Sequence, residues 1–209
     1  MRLRNVKNAR EILENSKYFI KDYKNYKGNF KKIFNNDNEI RIEIGMGKGT
    51  FITTLAKENP NINFIGVEKY ESVLVRGIQK ANEMDLPNLR MICCDAKELN
   101  EVFDHEINTI YLNFSDPWPK DRHAKRRLTS PLFLDIYNKI FMGRNRIVMK
   151  TDNINLFNYS LESLVNYGYE IIDKTNNVDC EKDDNIMTEY EKKFHNLGIN
   201  INKLEAIKK

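Results

Sequence analysis

Two periods alternate along the chain. Residues 40–44 alternate apolar and charged side chains, and 63–67, 89–93, 109–114, 146–149, 169–173 and 201–207 carry further strand-like apolar runs. Between them, helical spacing predicts helices over 50–58, 70–84, 97–103, 131–141, 156–167 and 192–197. Pro131 follows Ser130 at an N1-like position, Gly143 is expected to end the 131–141 helix, and Gly198 to stop the last one. Strand and helix in this alternation predict an α/β, Rossmann-like fold: a doubly wound, mostly parallel sheet with helices on both faces. That domain is expected over 38–209, preceded by a basic extension over 1–37. The extension has no strong strand signal. Ile12, Tyr18, Phe19, Tyr23 and Tyr26 stand among lysines there, as in an irregular helix or an extended arm whose aromatic residues pack on the domain or face RNA.

Composition narrows the class. At 209 residues, 41% hydrophobic and 31% charged, the chain is long enough to bury a full core and reads as soluble and globular. The net charge of +4 says little by itself, but its distribution is uneven. Residues 1–37 hold ten cations against four acids, residues 173–184 lean acidic, and 174–187 reads as an acidic loop. A second basic strip lies within 120–127, and two separated basic regions are the expected footprint of nucleic-acid contact. Three cysteines without a C-x-x-C pair argue against a disulfide framework or a zinc site, and the three histidines lack metal spacing, so no metal is expected. No apolar run is long enough to span a bilayer and the Met1 end lacks a signal-peptide core; a cytoplasmic protein without membrane partners is the expectation.

The candidate chemistry gathers where strands are expected to end. The first strand leads into Glu43-Ile-Gly-Met-Gly-Lys-Gly49. Gly45, Gly47 and Gly49 would let a ligand approach the backbone, but their spacing is not that of a dinucleotide fingerprint. Glu43 suits a cationic ligand better than a pyrophosphate. Glu68 ends the second strand, where an acid can grip ribose hydroxyls or simply be exposed, and Asp95-Ala96 follows the third. After the fourth come Asp116, two prolines around the only tryptophan, and the cations Lys120, Arg122, Lys125, Arg126 and Arg127. Asp152 follows the fifth strand, where it or Asn153 would also cap the next helix, and Thr188-Glu-Tyr-Glu191 reads as a capping box. Acids collected along one sheet edge suit a positively charged, ribose-containing cofactor, with S-adenosyl-L-methionine the obvious candidate.

Here the residues resemble a family. The segment Glu43 to Gly49 is similar to motif I of class I methyltransferases. Asp116-Pro-Trp-Pro-Lys120 with His-Ala-Lys-Arg-Arg127, Lys150-Thr-Asp152 and Thr188 to Glu191, in that order, resemble the tRNA (guanine-N7-)-methyltransferase family, as does the start from Met1 to Asn5. The Val6 to Arg10 segment lacks the Lys-Pro-Trp-Ala-like stretch of many relatives, and Gly143-Arg-Asn replaces a Gly-Gly turn. The resemblance implies methyl transfer from S-adenosyl-L-methionine, leaving S-adenosyl-L-homocysteine, to N7 of guanosine 46 in the tRNA variable loop, by a monomer or homodimer. It implies that Asp116 is catalytic. Glu43, Gly45, Gly47, Gly49, Glu68, Asp95, Ala96 and Asp116 would hold the cofactor. Lys120, Asp152, Thr188, Glu189, Tyr190 and Glu191 would bind the guanosine, and Arg122, His123, Ala124, Lys125, Arg126 and Arg127 would contact RNA. An amino-group methyltransferase, a Rossmann dehydrogenase and a catalytically silent RNA-binding protein are the competing readings. The aromatic before the second proline, the glycine spacing and the strand-end acids weigh against them in turn.

Overall fold

The computed structural model describes residues 6, 8–178 and 186–208. Seven strands form one sheet in the order β3-β2-β1-β4-β5-β7-β6. They are β1 (Ile40–Ile44), β2 (Asn63–Glu68), β3 (Leu89–Cys93), β4 (Ile107–Asn113), β5 (Phe141–Thr151), β6 (Glu170–Thr175) and β7 (Asn202–Lys208). The first five pair in parallel, and β7 runs antiparallel between β5 and β6. The carboxyl ends of β1, β2, β4 and β5 therefore share one edge of the sheet, with Glu43 beside Gly66 and Tyr111, and Asn113 beside Lys150.

Alternation along each strand divides the core into two layers. Ile42, Ile65, Ile110, Leu112, Ile147 and Met149 pack with residues of α5 (Leu99–Val102), α6 (Pro131–Ile140) and α7 (Ile154–Asn166). Phe64, Met91, Tyr111 and Val148 pack on the other face with α1 (Ala9–Glu14), α3 (Thr50–Glu58) and α4 (Glu71–Asn82). Strands covered on both faces explain why β2 is buried at every position. Among the described residues no helix is long and apolar enough to cross a membrane.

One expectation changes. Gly143 does not end a helix: α6 stops at Ile140 and the chain enters β5 at once. Opposite Ile107 and Thr109, β5 supplies Phe141 and Arg146, so residues 142–145 loop out of the β4 ladder, with Gly143 at φ +76°. Over its described part the extension follows the irregular-helix alternative, with α1, a 3-10 turn at Tyr23–Tyr26 and α2 (Lys31–Phe34) packed on the domain. Leu13 and Tyr18 enter one core layer, and Ile20, Phe30 and Phe34 the other. Between them the segment wraps the outer edge of β3, where the Met91 amide donates to Tyr18 O at 2.7 Å and the Ile20 amide to Met91 O at 3.0 Å. That covers an otherwise open edge strand. Several cations counted there are matched internally: Lys17 by Asp85, Lys21 by Glu14, and Lys24 by Glu98 and Glu101. The Met1 to Asn5 start and residues 179–185 of the acidic loop lie outside the described residues.

Phe30 is fully buried, 4.6 Å from the Phe103 ring, and its amide donates to the buried Glu106 carboxylate. Phe30→Ala should lower unfolding stability by about 3–5 kcal/mol in urea titration. A loss under ~1 kcal/mol would mean the segment is a dispensable appendage.

Candidate active site

The glycine turn is built onto the end of β2. The Gly45 and Met46 amides donate to Val67 O at 2.8 and 3.1 Å, and the Gly47 amide donates to Glu68 Oε2 at 3.1 Å. Glu68 Oε1 also accepts from the Lys69 and Tyr70 amides. Burial raises the Glu68 carboxyl above its usual range, and these three amides oppose the rise. Gly47 has φ +57°, open to glycine at no steric cost, and open space where its Cβ would stand. Gly49, also left-handed at φ +75°, serves packing as well: a Cβ there would lie 3.1 Å from the Gly77 backbone, so the glycine lets α3 approach α4.

Glu43 lies deeper, 2% exposed, its Oε1 accepting from Asn113 Nδ2 at 2.9 Å. Burial pushes its carboxyl up to about 8, with the Asn113 amide working the other way. Glu43 Oε2, Asn113 Oδ1 and Ser115 Oγ are buried without a hydrogen-bond partner among the described residues. Buried polar atoms are normally satisfied. Three orphans on neighbouring residues of one cleft mark a place prepared for a polar ligand.

Beyond β4 the chain makes an unusual loop. Phe114 (φ +51°) and Trp118 (φ +41°) both adopt left-handed backbone, which bulky residues rarely do, and Asp116 stands exposed between them. The Phe114 amide donates to Lys150 O, and its ring stacks on Tyr190 and Phe194 at 5.8 and 5.9 Å. The 3-10 turn Asp121–Arg126 then folds back, setting the Arg126 guanidinium 4.8 Å from the Trp118 ring and His123 edge-on to it.

The far wall is α8 (Glu189–Asn196), whose first turn carries the expected capping box, with the Glu191 amide donating to Thr188 Oγ1 at 2.9 Å. Glu191 is fully buried and its carboxylate accepts from Lys150 Nζ at 3.1 and 3.3 Å. Glu189 reaches the opposite wall, with Lys48 Nζ at 3.0 Å and the Thr50 hydroxyl donating at 3.0 Å. Burial works against its charge, but Lys48, Thr50 and Lys80 together hold its carboxyl below the usual range. Turn, loop and helix enclose a cleft of about 830 Å³.

Comparison with known proteins agrees with this architecture. Residues 37–204 match a family model described as putative methyltransferase. The chain is 46% identical over 211 residues to the tRNA (guanine-N(7)-)-methyltransferase of Lachnoclostridium phytofermentans, covering 100% of this chain and 99% of that one. Identity to the Listeria monocytogenes serovar 1/2a protein of the same name is 48%, covering 99% and 98%. The chain belongs to the tRNA (guanine-N(7)-)-methyltransferase family. Among solved structures, the 16S rRNA methyltransferase KamB matches with TM-score 0.69 at 12% identity, covering 86% of this chain and 92% of that one. An S-adenosylmethionine-dependent methyltransferase from Aquifex aeolicus matches with TM-score 0.57 at 13% identity over 96% and 97%. At such identities these two carry the fold alone.

In this member of the family, the residues singled out by sequence divide into four groups. Glu43, Gly45, Gly47, Glu68 and Asp116 line the cleft, joined by Thr188, Glu189, Tyr190 and Arg126. Asp95 and Ala96 stand at the neighbouring strand end, where Asp95 pairs with Lys69 Nζ at 2.8 Å and accepts from the Lys97 amide at 3.0 Å. Lys120, Arg122 and Lys125 are exposed, His123 and Ala124 half-buried, and Asp152 is exposed with Asn153 rather than Asp152 capping α7. The fourth group faces inward. Glu191 is spent on Lys150, and Arg127, 9% exposed, donates to the Pro117 and Trp118 carbonyls rather than pointing outward with the strip. Asn113, Ser115, Lys48 and Phe51 also line the cleft and were not singled out. Asn113 and Ser115 were within reach, since they precede Asp116 at the end of a predicted strand. Among the described residues no group of His, Cys, Asp or Glu side chains could hold a metal ion.

The Glu43 carboxyl has a testable consequence. Its folded value of about 8 stands above the ordinary 4.5, so the folded chain keeps a proton that the unfolded chain releases. Stability from this group is complete below about pH 4.5 and is lost as pH rises through about 8. Glu43→Gln should therefore be more stable than wild type at pH 8, on the order of a few kcal/mol, with the gap closing towards pH 5. Urea unfolding at three pH values measures it; a gap independent of pH would refute the assignment.

Proposed function

We propose that the chain transfers the methyl group of S-adenosyl-L-methionine to N7 of guanosine 46 in the tRNA variable loop. The observation that carries this reading is the cleft itself, which gathers Glu43, Glu68 and Asp116 on one side of an exposed aromatic and basic rim. The residues present fit that cofactor. Glu68 is held by backbone amides yet keeps lone pairs that can accept from ribose hydroxyls. Gly45 and Gly47 leave room beside their backbone. A cationic group near Glu43 would favour its ionised form and draw off the proton that burial retains. When bound, the cofactor supplies a methyl group already activated by its sulfonium.

What remains for the chain is alignment and electrostatics. Guanine N7 is a bare acceptor, so no proton need be removed from it. The protein has to hold base and donor in line. Positive charge grows on the guanine, and the Asp116 carboxylate, exposed between the left-handed Phe114 and Trp118, would favour that charge. Tyr190, 45% exposed at the cleft mouth, offers a face on which an unstacked base can lie. Lys120, Arg122, Lys125 and Arg126 are exposed beside the same mouth and suit phosphates.

The test is methyl transfer from labelled S-adenosylmethionine to unmodified tRNA, with the product nucleoside identified. N7-methylguanosine at position 46 is expected from wild type. Asp116→Ala should lose about 100-fold or more in kcat with tRNA binding retained. Label in another nucleoside would move the target, and no label despite tight binding of tRNA and cofactor would overturn the reading.

A further inference from the structure

We propose that Arg127 is a positioning residue for methyl transfer: its guanidinium holds the Asp116 loop from behind and does not bind phosphate. The inference rests on the reading of Asp116 given above. Although Arg127 closes the most basic stretch of the chain, its side chain is turned inward. Nε donates to Pro117 O and Trp118 O, both at 3.3 Å, and Nη2 donates to Trp118 O at 3.1 Å. The guanidinium carbon lies over the Tyr159 ring of α7, 4.3 Å from its centroid. Arg126, one residue earlier, is exposed.

The loop needs such a hold. Trp118 sits at φ +41° directly before Pro119, and a residue before proline is already confined to extended backbone. Left-handed backbone there, together with Phe114 at φ +51°, persists only where the surroundings over-determine it. Pro117 has no amide hydrogen, nor has Pro119, so the loop can donate little to its own structure. The carbonyls of Pro117 and Trp118 are what remains to grip, and a planar fork suits two adjacent acceptors as an ammonium does not. Through these bonds Arg127 fixes the two residues that follow Asp116, and with them the carboxylate.

The experiment compares Arg127→Gln, Arg127→Lys and Arg122→Gln, and it uses Trp118, the only tryptophan in the chain, as a reporter inside the loop. Arg127→Gln should lower kcat by about 100-fold, the cost of a small misplacement, while KM and the tRNA Kd stay within about twofold, unlike a lost phosphate contact. Arg127→Lys should restore little, because charge without the fork does not hold two carbonyls. Arg122→Gln should instead weaken tRNA binding and lower the salt slope by about one. In both Arg127 variants, acrylamide should quench Trp118 more strongly while the thermal transition stays cooperative. The quenching needs no activity, so it tests the clamp even if wild type transfers no methyl to tRNA. The proposal is overturned if Arg127→Gln weakens tRNA binding and lowers the salt slope as Arg122→Gln does, if lysine restores kcat, or if Trp118 quenching is unchanged.

Discussion

A buried cation at the carboxyl end of β5 holds the site together. Lys150 is 5% exposed, and its ammonium donates to both oxygens of the fully buried Glu191 and to Ile186 O at 3.1 Å. Its own backbone carbonyl accepts from the Phe114 amide, so one residue ties the sheet to α8 and to the start of the Asp116 loop. A buried ion pair is weak evidence for net stability, because desolvation offsets much of the attraction. Its effect is on geometry: removing either partner would strand the other charge in the interior, so the two elements it joins cannot drift apart cheaply. Glu191 therefore contributes to the cleft by placing Tyr190 and Glu189, not by facing it.

The parallel register imposes a cost that this architecture has to manage. Strands that end together deliver their terminal side chains to one edge, and here several of those side chains are acids. Each is handled by a different device. Glu68 is wrapped by three backbone amides and Asp95 pairs with Lys69, while Glu189, which α8 rather than a strand brings to the cleft, is met by Lys48 and Lys80. Glu43 has one amide donor and an orphaned oxygen, and burial leaves it protonated well above the ordinary carboxylate range. The least compensated acid is thus the one nearest the floor of the cleft. That is the expected place for imperfect satisfaction when a polar or cationic ligand completes the set.

Much of this was legible in the sequence because the signals were local. Strand and helix periods gave the seven strands and the helices between them, and the glycine turn and Asp116 appear where strand ends require. Asn153, Thr188 and Glu191 cap as their spacing indicates. What escaped depends on partners far apart in the chain. Counting charges over 1–37 could not reveal that Lys17 faces Asp85 or that Lys24 faces Glu98 and Glu101. Nor could the aromatic residues there show that they wrap the β3 edge. Gly143 looked like a helix stop because glycine marks both helix ends and strand irregularities, and only the pairing of Ile107 and Thr109 with Phe141 and Arg146 separates the two. Arg127 looked like its neighbours because charge is visible in sequence and side-chain direction is not.

The loop around Asp116 inverts the usual argument from proline. Two prolines suggest a stiff segment, and stiffness suggests an extended path, yet Trp118 between them takes left-handed backbone that its position disfavours. Backbone strain of this kind costs of order 1–3 kcal/mol per residue. The surroundings offset it from three sides: Phe114 stacked on Tyr190 and Phe194, Trp118 beneath Arg126, and the two carbonyls held by Arg127. Because the prolines remove amide donors, these contacts come from other elements, chiefly α8 and the basic turn, with Tyr159 of α7 packed against Arg127. The position of the exposed carboxylate is therefore not a property of its own segment. It is a consequence of how the rest of the fold closes around that segment, which is why the same basic stretch holds both exposed cations and a buried one against the loop.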